Sequence, residues 1–216
     1  MRLLYEGWQF HQPTLGYLLE VRPPPARVLS IGCSLGILDA LLTGYGYQVV
    51  SIDNDPLVLT LAEAFWKRLG RSLDLRQADA FDLTDHHGGY DVAYSAGLVE
   101  HWHGERAVEL MREHARCAPL VQVEVPTRWT WTVSSPTEVG ADMHPFKSSE
   151  FISRVRESGL QPISIYTLGG VPSRNRELIE SLLPPVMFRK LSRIASYSMG
   201  IGVLAEAERR GAAPSV

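Results

Sequence analysis

Cysteine is scarce in this chain: Cys33 and Cys117 are the only two. A disulfide framework is therefore not expected, and the composition fits a reducing, cytoplasmic setting. No run of about 18 apolar residues occurs, so no transmembrane helix is expected. The N-terminus, "MRLLYEGWQF", lacks a long apolar leader core and reads as mature protein. Basic charge is not in excess, since 21 Lys and Arg stand against 24 Asp and Glu. Nothing in that balance points to nucleic acid, which favours a concentrated basic face. There is no internal repeat and no low-complexity stretch beyond "PPP" at 23–25. What remains is 216 residues, 45% of them hydrophobic, enough to bury a sizeable core in one domain.

Residues 1–25 precede the first strand. They carry apolar points at Leu4, Trp8, Leu15, Leu18 and Leu19 and read as a helical cover segment with a break at Pro13. From residue 27 the chain alternates. "RVLSIG" reads as a strand and "ILDALLTG" as a helix closed by Gly44. "QVVSID" is a strand. "LVLTLAEAFWKRLG" is a helix with Leu57, Leu61, Phe65 and Leu69 on its apolar face. "LDLRQAD" and "YDVAYS" are strands, and "DHHGG" at 85–89 between them is a solvated turn. "GERAVELMREHARCA" is a helix with Ala107, Leu110, Met111 and His114 on one side, and "LVQVEV" is a strand ended by Pro126. Further on, "SSEFISRVRESG" is a helix with a Ser148 cap and a Gly159 stop, "LQPISIYTL" a strand and "MGIGVLAEAE" the last strand. This rhythm predicts an α/β fold with parallel strands in one sheet and helices on both faces. A single domain over 1–210 is expected, with 126–147 and 169–198 as insertions on the substrate side and a frayed tail at 211–216.

The stretch "RVLSIGCSLG" raises the functional question. A strand running into a glycine turn and a helix aims backbone N–H groups at a ligand. A nicotinamide fingerprint needs G-x-G-x-x-G, whereas here Ser34 stands at the middle position between Gly32 and Gly36. The Gly-Lys-Ser/Thr of a phosphate-binding Walker loop is absent. Seventeen residues after Gly36, Asp53 ends the second strand, where a carboxylate can accept both hydroxyls of a ribose. Asp79, in "QADAFDL", suits the amino group of a purine edge, and the Ala80 N–H suits a ring nitrogen.

"VLSIGCSLG", "VVSIDNDP", "ADAFDL" and "YDVAYSAGLVEHW", in this order, resemble the class I S-adenosylmethionine-dependent methyltransferases from about Arg27 to Val125. "HPFKSSEFISRVRESGL" followed by two strands resembles small-molecule members of that family. The resemblance implies a Rossmann-like seven-stranded, mostly parallel sheet with the last strand antiparallel. It also implies S-adenosylmethionine as cofactor. Gly32, Cys33, Ser34 and Gly36 would surround the methionine part, Asp53 would hold the ribose, and Asn54 would lie beside the adenine. Asp79 and Ala80 would bind the adenine edge, and the Ser95 carbonyl would meet the amino group. Ser30 stands where the family commonly carries an acid, and Ser34 where it carries glycine, at some cost if φ is positive.

A sulfonium methyl is already activated, so the protein must align the acceptor and exclude water. "GLVEHWHGE" follows the fourth strand, so Glu100 and His101 are expected at the cleft, with His101 the candidate base. A Glu-x-x-Glu-His pattern holds a divalent cation in some relatives, but Gly97 occupies its first position here, and no metal is assigned. Trp8, His11, Trp129, Trp131 and His144 are candidate substrate contacts in segments that would cover the acceptor. "VMFRKLSRIASYS" is a basic amphipathic pattern that suits a membrane surface, an anionic acceptor or a plain surface helix. The reading is methyl transfer to oxygen or nitrogen of a small metabolite. The rivals are a cofactor-binding protein without catalysis, a nucleic-acid methyltransferase, and an NAD-dependent dehydrogenase. Ser95-Ala96-Gly97-Leu98 replaces the Asn/Asp-Pro-Pro-Tyr/Phe of base amino methylation.

Overall fold

The computed structural model describes residues 2–127, 143, 146–168 and 200–208, with side chains from residue 11 onward. Its elements are α1 (Arg2–Val21), β1 (Arg27–Ile31), α2 (Ile37–Gly44), β2 (Gln48–Asp53), α3 (Pro56–Arg68), β3 (Asp74–Gln77) and β4 (Val92–Ala96). Then come α4 (Gly104–Cys117), β5 (Leu120–Pro126), α5 (Ser148–Glu157), β6 (Leu160–Leu168) and β7 (Gly200–Ala207). The seven strands form one sheet in the order β3-β2-β1-β4-β5-β7-β6. Strands β1 to β5 pair in parallel, and β7 runs antiparallel between β5 and β6. The expected α/β architecture with an antiparallel last strand is what the chain forms.

Strand order reverses between β1 and β4. From β1 the chain winds outward to β2 and β3, then returns to build β4 and β5 on the other side. Such a switch point opens a crevice at the carboxyl ends of the strands, because the loops there diverge to opposite faces.

Strand alternation sends successive side chains to opposite faces. Leu29, Ile31, Ala93, Val121 and Val123 pack with Leu110 and Met111 of α4 and Phe151 and Val155 of α5. Val28, Val92, Tyr94 and Leu204 pack on the other face with Leu15 and Leu18 of α1 and Leu38 and Leu42 of α2. Burial of large apolar side chains against both faces supplies the main driving force, roughly 1.5–3 kcal/mol for each.

Some local expectations are corrected. Helix α1 runs unbroken through Pro13. Proline removes one helical hydrogen bond, but Thr14, Leu15 and Leu18 behind it are fully packed, which outweighs the loss. In α3 the buried residues are Ala62 and Trp66, while Leu57, Leu61 and Leu69 are exposed. The Trp66 indole N–H donates to the Leu35 carbonyl at 2.6 Å, so the largest side chain sets the rotation of the helix. Strand β3 ends at Gln77, two residues before Asp79. Ser148 opens α5 and Lys147 occupies the cap position, while Gly159 follows the helix with φ 81° as a stop. In the "DHHGG" turn, His86 bonds the Tyr90 hydroxyl at 2.9 Å and His87 meets Glu113 at 3.0 Å, so the two imidazoles are tied down. Of the expected insertion at 126–147, residues 128–142 and 144–145 lie outside the described residues, as do the whole of the one at 169–198 and the tail.

Candidate cofactor site

Two adjoining cavities fill the crevice, sharing Gly32 and Ser34 as a common wall. The first, about 290 Å³, is bordered by Asp53, Asn54, Asp79, Ala80, Phe81 and His101, among others. The second, about 230 Å³, is bordered by His11, Ser30, Cys33, Gly36, Asp39 and Tyr94, among others.

The loop between β1 and α2 makes the shared wall. Gly36 has φ 64° and caps α2 with no side-chain hydrogen bond. A Cβ there would come within 2.6 Å of the tip of the Leu73 side chain, which would have to shift, and the positive φ is what favours glycine. Ser34 takes φ 50°, the left-handed conformation serine usually avoids. The Asp53 carboxylate holds it there by accepting the Ser34 N–H at 3.2 Å. Asp53 also accepts the Asp55 N–H at 3.1 Å through its other oxygen. Each oxygen is thus oriented by one backbone donor and keeps lone-pair capacity for a further donor.

Asp79 is oriented the same way, accepting the Phe81 N–H at 2.9 Å. Gln77 steadies Asn54 by donating to its carbonyl at 3.1 Å. Phe81 meets Trp102 edge-on at 5.0 Å and carries the Arg106 guanidinium over its ring at 3.7 Å. Phe81 and Trp102, which the sequence did not single out, give the first cavity an aromatic wall. An aromatic two residues after a strand-end acid was the signal available for Phe81.

The second cavity differs in character. Burial, then the Asp39 and Asp53 charges, push the Cys33 thiol up to about 12, so it is a neutral wall and no nucleophile. Asp39, on the first turn of α2, is 2% exposed and its Oδ2 has no hydrogen-bond partner among the described residues. Burial raises its pKa above the ordinary carboxylate range, opposed by the Ser51 and Ser30 hydroxyls and the His11 charge. His11 of α1 sits with its Nδ1 3.6 Å from Oε2 of the buried Glu124 on β5. Glu124 in turn accepts from Thr14, from Tyr166 at 2.9 Å and from Tyr94 at 3.5 Å. The sequence reading missed Asp39 and Glu124. A lone Glu in the apolar strand "LVQVEV" was the visible hint for the second.

The remaining expected site residues separate. Ser95 is fully buried on the α4 face, where its hydroxyl meets Nε2 of His114 at 2.9 Å. It borders neither cavity, and burial pushes the His114 imidazole down to about 4. His101 is exposed and lines the first cavity. Glu100 does not face the crevice as expected. It is 0% exposed, both oxygens lack hydrogen-bond partners among the described residues, and burial pushes its carboxyl up to about 8. Its place on the inward side of the 3-10 turn Val99–His101 explains this, since neighbours on so short a turn cannot both face the crevice. Trp129, Trp131 and His144 lie outside the described residues, as does the side chain of Trp8.

Residues 28–118 match the family model described as a methyltransferase domain. That region is similar to a methyltransferase domain, and the match spans fewer than half of the 216 residues. A ubiquinone biosynthesis O-methyltransferase of Azorhizobium caulinodans is 33% identical over 75 residues, covering 35% of this chain and 30% of that protein. An indolepyruvate C-methyltransferase of Streptomyces griseus is 30% identical over 101 residues, covering 44% of this chain and 30% of its own. The chain thus spans about a third of the length of the curated relatives it matches. The fold is similar to that of magnesium protoporphyrin IX methyltransferase from Synechocystis PCC 6803, solved with bound S-adenosylhomocysteine. That likeness has a TM-score of 0.66 at 14% identity, covering 95% of this chain and 84% of the other. The crevice residues fit S-adenosylmethionine, the cofactor that the sequence resemblance implies, on the geometry above. Two backbone-anchored carboxylates face one cavity, and a buried, under-satisfied carboxylate faces the other. No helix among the described residues is long and apolar enough to cross a membrane.

Proposed function

We propose that this chain transfers a methyl group from S-adenosylmethionine to an oxygen or nitrogen of a small metabolite. The observation that supports it is the convergence of Gly32, Ser34, Asp53, Asn54, Asp79 and Ala80 on one cavity. These residues come from three separate strand ends, and a generic strand–helix turn would not gather them. In this reading the first cavity takes the adenosine, with Asp53 on the ribose hydroxyls and Asp79 and Ala80 on the purine edge. The second takes the methionine part, between Cys33, Gly36 and α1.

The bound cofactor supplies a sulfonium methyl open to in-line displacement. The chain's own part is to place the acceptor, exclude water and take a proton. Two imidazoles border the crevice. His101 is on the adenosine side. His11 is on the methionine side and is backed by Glu124. A carboxylate behind an imidazole orients it and stabilises the cation formed when it accepts a proton. We therefore assign the acceptor's proton to His11, with Glu124 as its positioning residue, and keep His101 as the alternative base. A base is needed only where the attacking atom carries a proton, which favours a hydroxyl or an ammonium over a carbon.

The test is methyl transfer from labelled S-adenosylmethionine into a metabolite extract, beside thermal stabilisation by S-adenosylhomocysteine and by NAD. Label in a small product, with stabilisation by S-adenosylhomocysteine alone, is the expected result. Stabilisation without transfer would favour the cofactor-binding alternative, and label in RNA or DNA the nucleic-acid one. Stabilisation by NAD instead would overturn the cofactor assignment.

A further inference from the structure

Ser30 ends the buried part of β1, at the place where the family commonly carries an acid. It is 1% exposed and borders the second cavity, but its hydroxyl carries no charge. A carboxylate is nonetheless present there, contributed by the next element. Asp39 borders the same cavity and lies beside Ser30 and Ser51. Its Oδ2 would be 3.4 Å from a Cβ at Gly36, which puts the oxygen directly under the loop's closing glycine.

The place of Asp39 in the first turn of α2, with its own backbone N–H at hand, favours an acid there but leaves Oδ2 without a partner among the described residues. The N-cap of α2 is Gly36, and no side-chain hydrogen bond caps that end. An ion pair within the chain does not account for the carboxylate. Among the described residues no Lys or Arg pairs with it, and the favourable charge at hand is that of His11, itself in contact with Glu124. The other titratable groups bordering this cavity, Cys33 and Tyr94, bring no positive charge. A buried carboxylate left under-satisfied costs several kcal/mol in an ordinary interior. The cost is offset when a ligand brings a cation to it, and charge-assisted hydrogen bonds are then the strong ones.

We propose that Asp39 is the carboxylate that receives the ammonium end of the cofactor's amino-acid part, the acidic charge having moved from β1 to the first turn of α2. The inference rests on the cofactor reading above. It makes the second cavity selective for ligands that carry both adenosine and an α-amino group.

Calorimetric titration tests it with three probes on the full chain: S-adenosylhomocysteine, its analogue lacking the amino group, and 5′-methylthioadenosine, which lacks the amino acid. Wild-type protein is expected to bind S-adenosylhomocysteine at least tenfold tighter than the deaminated analogue. Asp39→Asn is expected to weaken S-adenosylhomocysteine about tenfold and leave 5′-methylthioadenosine within twofold. A wild type that binds the deaminated analogue as tightly as S-adenosylhomocysteine overturns the inference, and that arm needs no variant to fold. A variant that weakens both adenosine ligands alike, or neither, also overturns it. Wild-type protein that binds none of the three overturns the cofactor reading and this inference with it, whereas binding without amino-group preference overturns the inference alone.

Discussion

The two halves of the crevice solve one electrostatic problem in opposite ways. On the adenosine side, Asp53 and Asp79 sit at the surface and are aimed by backbone N–H groups one or two residues away or across the loop. Their charge stays solvated, so presenting it costs little. On the methionine side, Asp39 and Glu124 are buried; Asp39 lies beside Ser30 and Ser51, and Glu124 is aimed by Thr14 and Tyr166, groups far away in the chain. Burial makes the Asp39 charge expensive, and that expense makes it responsive to a cation or a proton. Cheap carboxylates suit recognition of neutral hydroxyls and amines, and costly ones suit discrimination by charge.

The comparison can be broken first at the base. His11→Gln is expected to lower label transfer roughly a hundredfold or more, with S-adenosylhomocysteine affinity nearly unchanged. His101→Gln made in parallel should change transfer far less. The reverse ranking, read as initial rates on the same extract, would return the proton to the adenosine side. Asp53→Ala comes next. It removes a ribose acceptor and the anchor of Ser34, and two lost charge-assisted bonds predict about a hundredfold weaker S-adenosylhomocysteine by calorimetry. Equal affinity would show that the ribose lies elsewhere.

Two stability measurements sharpen the contrast away from the crevice. Glu100 is buried like Asp39 but borders neither cavity, so it serves as the control for cost without function. Its carboxyl stands at about 8 against an ordinary 4.5, so the folded chain holds a proton that the unfolded chain releases between those values. Stability attributable to it therefore falls as pH rises from about 4.5 towards 8. Glu100→Gln should remove a penalty on the order of 2–3 kcal/mol at pH 7, seen as a smaller difference between urea midpoints at pH 5 and pH 8. An unchanged pH dependence would count against a buried, unpaired carboxylate. The smallest effect is expected for Ser95→Ala, which strips the partner from His114 Nε2 on the α4 face. A loss of about 1–2 kcal/mol in urea unfolding is expected, with cofactor affinity intact. Weakened binding would instead tie the Ser95–His114 pair to the crevice, since this substitution leaves the backbone carbonyl untouched.

Much of the adenosine side was legible because its residues end consecutive strands. A strand running into Gly32 and acids at Asp53 and Asp79 are local features, and strand order in a doubly wound sheet brings such ends together. The α3 face was misread because periodicity gives a stripe but not which stripe is covered. Leu57, Leu61 and Trp66 all lie on one helix, and only packing on the β1–α2 loop decided for Trp66. Of the pair Glu100 and His101 only Glu100 was misread, because adjacent residues on a short turn point different ways.

By itself, then, the sequence determined the alternation of strands and helices, the glycine turn after β1 and the acids at the strand ends, since each depends on neighbours within a few residues. Only the tertiary structure decided that His11 meets Glu124, more than a hundred residues away in the chain, and that Asp39 stands behind Ser30. Those pairings arise when α1 and α2 pack on one face of the sheet, and burial there, which no local pattern encodes, is what gives their charges a value different from the same residues in water.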